Sequence, residues 1–309
     1  MKKLLIPDGL RAGDTIAIVA PAAPCEAELD AAVVQLEQQG YRVRLGRSVG
    51  PVTGYLAGDD ALRAADLLAQ FTDEQVKAIL CLRGGYGCAR LLPLLDYAAI
   101  RRHPKLFIGY SDITALHIAL QEQAGLATVH GPMLCNLLPD RRPTKYTMQA
   151  LLNGLKKPFG PQKFKQAKGH QLRWLYPAAA PLQGRLCGGN LTVLTSLIGT
   201  PYALQGHGGI LFLEDVGEAA YRIDRMLNQL TQSGLIDRVQ AVIFGDFTDC
   251  QPTKPEPGDY SVGEVLEHYA ARWQKPCLTG LSAGHGRQNG WLPLGAPAIL
   301  TKQNLIFAD

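Results

Sequence analysis

A serine stands where an apolar segment of the sequence ends. The segment LFIGYS (106–111) is typical of a short buried strand, and a helix-like pattern begins at Asp112. A strand that turns at once into a helix pushes the side chain at the turn out of the sheet, as in the nucleophile elbow of hydrolases. The elbow signature G-x-S-x-G is half met, because Gly109 is present but Ile113 occupies the second glycine position. Ser111 is therefore a candidate nucleophile, and capping of the following helix is the competing interpretation.

A serine nucleophile needs a base, and the base needs an acid that orients it. Two histidines follow apolar runs and precede glycine, His130 in ATVHGPM and His285 in LTGLSAGHGRQN, so either is a candidate base. His117 lies nearly two turns along the helix after Ser111, which points it away from the elbow. The other histidines fall in polar loops or on a helix face and are expected to be solvated: His103, His170, His207 and His268.

The candidate acids end a second apolar run. In GGILFLEDVGE, five apolar residues lead directly into Glu214 and Asp215. Two carboxylates at the end of a core strand are costly to desolvate unless they have partners or a catalytic role. The competing interpretation is helix capping, or pairing with Arg222 or Arg225.

A glycine-rich turn follows a third apolar run, in CLRGGYGCARLL (81–92). Three functions are open for it: a phosphate cradle, a dinucleotide site, or one half of an oxyanion hole. The dinucleotide function is disfavoured because the G-x-G-x-x-G pattern is absent and the turn does not follow the first strand. A purely structural tight turn remains the alternative.

Composition and charge exclude several other classes. With 47% hydrophobic and 19% charged residues in 309, the sequence is that of an ordinary globular protein. The net charge of +4 comes from scattered residues without a basic stripe, so no nucleic-acid partner is expected. There is no HExxH, no clustered His/Cys set and no calcium loop, so neither a metal nor another cofactor is expected.

The cysteines and the lengths of the apolar runs indicate in which cellular compartment the protein is expected. The seven cysteines are dispersed without a CxxC pair, as expected of small buried side chains rather than disulfides or metal ligands. The apolar run near the start is too short for a signal peptide, and no run of about 18 apolar residues occurs, so a cytoplasmic protein without membrane contact is expected.

The elements that must position these residues fall into two groups. Over the first 135 residues strand-like and helix-like segments alternate, which predicts a parallel sheet covered by helices. Proline, lysine and glycine are frequent from about 139 to 181, so this segment is expected to be a linker with mobile loops and one helix, Tyr146–Leu155. Strand patterns return from Leu182. We therefore predict an N-terminal α/β domain (1–140) carrying the serine, a linker (141–180) and a mixed α/β C-terminal domain (181–309).

Taken together, these motifs resemble the murein tetrapeptide LD-carboxypeptidases and their relative, the microcin C immunity peptidase. The resemblance extends over nearly the whole chain, in a fixed order of segments, which makes it far more specific than the elbow alone. The segments are IAIVAPAA, YLAGDDALRAADL, CLRGGYGCARLLPLLD, IGYSDITAL, HGPM, GRLCGGNLTVLTSLIGTP, ILFLEDVGEAAYRIDRMLNQL, GDFTDC, LSAGHGRQN and LPLGAPAIL.

The resemblance implies a fold and a set of residue roles. Ser111 would be the nucleophile, Glu214 the orienting acid and His285 the base, with the backbone N–H groups of Gly85 and Asp112 as the oxyanion hole. The family fold has a flavodoxin-like parallel sheet in the N-terminal domain. Its C-terminal mixed α/β domain is formed on a small barrel-like sheet, and dimers are usual, so a homodimer is expected.

The resemblance also implies a substrate. This is a small muropeptide, the tetrapeptide L-Ala–γ-D-Glu–meso-diaminopimelate–D-Ala, from which D-alanine is released during peptidoglycan recycling. Arg83 is the candidate for the terminal carboxylate, and a structural salt bridge is its alternative. An immunity-type peptidase acting on an aminoacyl-nucleotide amide is the runner-up, with Trp174 or Trp291 stacking on the base unless both only pack. A non-catalytic binding module is the third alternative.

Overall fold

The computed structural model describes residues 4–251 and 258–308, and its strands form two sheets. The first sheet has six strands in the order β12-β5-β4-β3-β1-β2. Strands β1 to β5 run parallel, in the order 2-1-3-4-5 of flavodoxin-like sheets, and β12 pairs antiparallel with β5 at the edge. These strands are β1 Thr15–Val19, β2 Arg42–Leu45, β3 Val76–Cys81, β4 Leu106–Gly109, β5 Thr128–His130 and β12 Leu292–Leu294.

The second sheet is mixed and has eight strands in the order β6-β14-β13-β8-β9-β10-β11-β7. Its long strand β8 pairs antiparallel with β13 through its first half and parallel with β9 through its second half. In the described residues no pairing joins β6 to β7, so this sheet is open rather than a closed barrel. Its strands are β6 Gln162–Lys163, β7 Arg173–Tyr176, β8 Leu182–Asn190, β9 Ile210–Val216, β10 Ala241–Thr248, β11 Cys277–Thr279, β13 Pro297–Leu300 and β14 Leu305–Phe307.

Helices cover both sheets, so the chain is an α/β protein as predicted. Several begin at an aspartate, serine, threonine or asparagine whose side chain caps the first turn, as Asp59 does for the N–H of Leu62. The helices are α1 Asp30–Glu37, α2 Asp60–Thr72, α3 Cys88–Leu91, α4 Tyr97–Arg102, α5 Thr114–Ala119, α6 Lys145–Lys156, α7 Leu191–Ser196, α8 Ala220–Gln232, α9 Leu235–Arg238 and α10 Val262–Trp273.

Side chains alternate between two faces in the core strands. Ile16 and Ile18 of β1 pack into a cluster with α1 and α6, whereas Ala17 and Val19 pack into a cluster on the opposite face. That second cluster continues without interruption to the near face of the second sheet, where it includes Leu211 of β9. The two sheets therefore share one layer of helices and one core, which fixes their relative position.

The segment predicted as a linker takes part in both halves of this arrangement. Its predicted helix is confirmed as α6, which packs on the first sheet, and β6 and β7 pair at the two edges of the second sheet. Thus residues 141–180 hold more regular structure than their composition indicated. The exact bounds of the two domains stay a prediction.

Candidate active site

The turn at Ser111 has the backbone strain of a nucleophile elbow. Ser111 has φ of 66°, in the left-handed region that a residue with a Cβ rarely adopts. Gly109 is needed on the strand side, since a Cβ there would lie 2.8 Å from a methyl carbon of Ile113. Ile113, which replaces the usual second glycine, is accommodated in this way. The serine hydroxyl is presented at the carboxyl end of β4, where parallel α/β sheets bind ligands.

Three of the predicted side chains meet at this turn. The Ser111 hydroxyl donates to His285 Nε2, with 2.9 Å between Oγ and Nε2, and His285 Nδ1 donates to Glu214 Oε2 over 2.6 Å. Glu214 is completely buried and the His285 side chain is 15% exposed. The Glu214 carboxylate fixes the proton on Nδ1, which leaves Nε2 free to accept the hydroxyl proton. The geometry is therefore that of a Ser-His-Glu triad.

A single loop brings the histidine to the serine. His285 lies between β11, in the second sheet, and β12, which crosses to the edge of the first sheet and pairs with β5. We call residues 280–291 the His loop. Since its two ends are fixed in different sheets, the loop spans the cleft between them and carries the imidazole across it.

Helix α6 holds the His loop from the outside. The Tyr146 hydroxyl lies 3.0 Å from Ser282 Oγ, and Thr147 Oγ1 donates to the carbonyl of Arg287 while accepting from the N–H of Asn289. Sequence reasoning missed these residues because they lie in the segment of loose composition. Tyr110, beside the serine, packs edge-on against the His285 ring with 4.9 Å between ring centroids.

A further carboxylate, not singled out in the sequence, lies under the His loop. Asp246 is in the bulge of β10, where its N–H donates to the carbonyl of Ala283 and its carboxylate lies so close to Gly286 that a Cβ there would clash with Oδ2. Burial, and then the charge of Glu214, raise the pKa of Asp246 to about 7. A signal existed, because VIFGDF is a buried strand that ends in a carboxylate, as ILFLED does.

Burial and charge act in opposite directions on the His285 imidazole. Burial lowers its pKa, but the charge and hydrogen bond of Glu214, with smaller contributions from Asp215 and Asp246, raise the pKa above its ordinary value. Because the base must be neutral to accept a proton, activity is expected to rise with pH through this raised pKa.

Asp246→Asn is expected to move the acid limb of the kcat/KM profile to lower pH. The asparagine keeps the size of the side chain but removes the negative charge that Asp246 carries around and above its pKa of about 7. Because that charge favours imidazolium, its removal lowers the pKa of His285. Profiles of kcat/KM against pH measure the shift, with the exposed Asp237→Asn on α9 as control. An acid limb that stays in place or moves to higher pH would contradict this reading of the electrostatics.

The glycine turn after β3 lies directly against the serine. A Cβ on Gly84 would be 2.7 Å from Ser111 Cβ. The Asp112 carboxylate accepts the N–H of Cys88 at 2.8 Å, which links the elbow to the far end of the turn. Within the described residues the N–H of Gly85 has no hydrogen-bond acceptor. The backbone positions predicted for the oxyanion hole are therefore adjacent, and their role stays a prediction.

Of the remaining candidates, Asp215 and Arg222 have structural partners within the protein, whereas Arg83 forms no ion pair with a described carboxylate. Asp215 accepts from Asn190 and Thr192 and so fixes the turn after β8, while Arg222 pairs with Glu218 rather than with Glu214 or Asp215. The Arg83 guanidinium donates to the carbonyl of Pro24 at 3.3 Å, and no carboxylate of the described residues forms an ion pair with it.

The two buried histidines near the elbow do not reach the serine hydroxyl. His117 donates from Nε2 to the carbonyl of Gly109 at 2.9 Å, and burial lowers its pKa to about 4. His130 is fully buried against Tyr110 and Phe212, and neither ring nitrogen has a partner among the described residues. Of the two candidate bases, His285 is the one hydrogen-bonded to Ser111.

Neither a metal-binding cluster nor a membrane-spanning helix occurs among the described residues. No group of three or more histidine, cysteine, aspartate or glutamate side chains there is arranged to hold a metal ion. No helix in this part of the chain combines the length and the apolar character needed to cross a membrane.

Both halves of the chain match models of one protein family. Residues 16–131 match the LD-carboxypeptidase N-terminal domain, and residues 183–300 match the LD-carboxypeptidase C-terminal domain. A probable murein peptide carboxypeptidase of Bacillus subtilis is 41% identical, over 95% of this chain and 91% of the relative. The murein tetrapeptide carboxypeptidase of Pseudomonas aeruginosa is 36% identical over 94% of each chain. The solved muramoyltetrapeptide carboxypeptidase from Oxalobacter formigenes is 30% identical with a TM-score of 0.83, covering 96% of this chain and 99% of that one.

Proposed function

Because the chain belongs to the LD-carboxypeptidase family and is a peptidase, we propose that it releases the terminal D-alanine of murein tetrapeptides by serine catalysis. The names of its relatives support a peptidoglycan peptide as the substrate. The observation that carries the proposal is the hydrogen-bonded series from Ser111 through His285 to Glu214. It lies beside the N–H of Gly85, which has no acceptor among the described residues.

The geometry supports acyl transfer through the serine. Ser111 Oγ attacks the carbonyl carbon of diaminopimelate, and its proton passes to His285 Nε2. The imidazolium, stabilised by Glu214, then protonates the departing D-alanine amine, which leaves an acyl-enzyme for water to hydrolyse. The N–H groups of Gly85 and Asp112 stabilise the charge on the carbonyl oxygen, an interaction worth about 10²–10³ in rate per donor.

Arg83 is proposed to bind the terminal carboxylate, since its charge is not used by a carboxylate of the described residues and it precedes the glycine turn. Of the tryptophans considered for nucleobase stacking, Trp291 is buried, and Trp174 is partly buried against the core of the second sheet. Trp291 is 8% exposed and donates to the carbonyl of Pro158, and Trp174 donates to the carbonyl of Lys302. These contacts favour the muropeptide over the aminoacyl-nucleotide substrate.

The cellular setting is part of the proposal. All seven cysteines are free, which agrees with a reducing compartment and so with recycling in the cytoplasm. The homodimer and the absence of a nucleic-acid partner stay predictions.

The test uses the tetrapeptide, its C-terminal amide and an aminoacyl-adenosine amide. The expected result is release of D-alanine from the tetrapeptide, with the other two compounds turned over far more slowly.

Arg83→Ala is expected to raise KM for the tetrapeptide about 10- to 100-fold, the cost of one charged hydrogen bond. The control is Arg42→Ala, which removes an exposed arginine of β2. Mass spectrometry of the products measures the turnover of all three compounds by the wild-type protein and by both variants. Faster cleavage of the adenosine compound would replace the proposed substrate with the runner-up.

A further inference from the structure

Two exposed aromatic rings stand beside the glycine turn. Tyr55 is 65% exposed and Tyr86 is 52% exposed, and their rings meet edge to face with 5.6 Å between centroids. With Ala23 and Gly85 they line an open cavity of about 520 Å³. We call these four residues the tyrosine shelf. Since large apolar side chains exposed together are unusual on a protein surface, the tyrosine shelf is a candidate contact for a ligand.

The backbone under the Tyr55 ring is held in place. Thr53 and Leu56 exchange two backbone hydrogen bonds of 2.9 and 3.0 Å, and the N–H of Ala57 donates to the carbonyl of Ala22 at 2.9 Å. The Leu56 side chain packs against Gly87, where a Cβ would lie 2.6 Å from Leu56 Cδ2. The Tyr55 turn, the segment after β1 and the glycine turn therefore form one fixed unit.

A buried arginine ties the same unit to helix α2. The Arg63 guanidinium is fully buried, pairs with Asp60 and donates to the carbonyls of Pro21 and Gly87. Arg90 is also paired with Asp60, at 2.8 Å. The tyrosine shelf is thus preformed, and no charged side chain lines it.

The tyrosine shelf lies where this type of sheet binds ligands. Ala23 follows β1 and Gly85 follows β3, and these two strands are neighbours in the sheet. The next strand after β1 is added on one side of this pair, and the next strand after β3 is added on the other side. In flavodoxin-like sheets the crevice outside the carboxyl ends of β1 and β3 is the topological switch point, the usual ligand position. Here that crevice opens beside Gly85, whose N–H is the proposed oxyanion donor.

We propose that the tyrosine shelf binds the aliphatic side chain of the residue on the acyl side of the scissile amide. This inference rests on the proposed function, because it takes the carbonyl oxygen of that residue to lie at the N–H of Gly85. Its Cα is then one bond from the carbonyl carbon, so its side chain begins within reach of the two rings. Ring faces and a methyl group suit a C–H-rich chain, and the open side of the cavity leaves a charged end group in water.

Size favours the acyl side over the leaving group. The side chain of D-alanine is one methyl group, which is small for a cavity of about 520 Å³. The acyl-side residue of the proposed substrate carries three methylene groups before its charged end. The tyrosine shelf therefore acts on substrate choice and contributes no group to the chemical step.

The test compares tetrapeptides that differ only at the acyl-side residue: meso-diaminopimelate, L-lysine or L-alanine. The wild-type protein is expected to prefer the two long side chains over alanine by about 10- to 100-fold in kcat/KM, the range for one methylene group in a closed apolar pocket, because this cavity is open to water. The double variant Tyr55→Ala/Tyr86→Ala is expected to lose this ratio, because kcat/KM falls far more for the two peptides with long side chains than for the alanine peptide.

Controls separate the ring faces from the hydroxyls and from general effects. Tyr55→Phe/Tyr86→Phe is expected to keep the ratio, and so is Tyr260→Ala, which removes an equally exposed tyrosine elsewhere. A double alanine variant that cleaves all three peptides more slowly by one common factor would overturn the proposal, and so would a wild-type protein without the preference. If the wild-type protein released D-alanine from none of the three, the proposed function itself would fail and this inference with it.

Discussion

Ser111→Ala is expected to lower kcat for D-alanine release by about 10⁴- to 10⁶-fold without unfolding the protein. The hydroxyl is the atom that forms the acyl-enzyme, so its loss leaves only the residual rate due to binding and the oxyanion hole. His285→Ala is expected to cost a similar factor, because without the imidazole the hydroxyl has no acceptor for its proton. The double variant is expected to be no slower than either single variant, since the two groups act as one unit.

The measurement is single-turnover release of D-alanine, followed by mass spectrometry, with thermal unfolding of each variant as the check on folding. Ser196→Ala, on an exposed serine at the end of α7, is the matched control and is expected to keep wild-type activity. Full activity in a folded His285→Ala protein would contradict the triad and return His130 as the candidate base.

The sequence predicted the first sheet because its signals are local. Each of β1, β3 and β4 is a short apolar run that ends at glycine, proline or a polar residue. Two of the intervening helices, α2 and α4, begin at an aspartate that caps their first turn. The same logic identified Ser111 and the glycine turn, since both follow such runs directly. The position of the serine at the carboxyl end of its strand follows from the rule for parallel sheets, whereas the flavodoxin-like order of the strands came only from the family resemblance.

What the sequence could not predict depends on pairings between distant segments. Strand β12 is Leu292–Leu294 with a proline in the middle, a pattern that argues against a strand except at an edge, which is where it lies. Without β12 nothing carries the His loop from one sheet to the other. Residue spacing alone left His130 and His285 open, and only the family resemblance favoured His285.

The residues that support His285 could not be predicted from the sequence either. Tyr146 and Thr147 lie in a segment whose composition indicates mobile loops, yet their hydroxyls hold the His loop. In the sequence, Asp246 is one of several polar residues that follow an apolar run, and nothing in the pattern sets it apart. Its effect on the imidazole arises from a bulge in β10 that turns the carboxylate under Gly286, and a bulge of this kind leaves little trace in the residue pattern.

Gly84 of the glycine turn is required for close approach rather than for unusual backbone angles, which its neighbours Gly85 and Gly87 adopt. At Gly84 the backbone passes so near the elbow that a Cβ would lie 2.7 Å from Ser111 Cβ and 2.8 Å from Ser111 Oγ. Both atoms belong to a residue already held at a strained φ, so neither has room to move without turning the hydroxyl away from His285. This glycine therefore sets the position of the nucleophile, although it supplies no reacting group.

Gly84→Ala is accordingly expected to lower kcat by about 10²- to 10³-fold, because a displacement of the nucleophile by about 1 Å costs a factor of this size. The protein is expected to stay folded, since the added methyl meets only the elbow. Gly263→Ala is the matched control: this glycine lies on helix α10 and a Cβ there would lie 3.8 Å from Ser261 Oγ. The paired measurement is kcat together with thermal unfolding. Wild-type kcat in Gly84→Ala would mean that the serine tolerates displacement, and the argument that the turn positions it would be wrong.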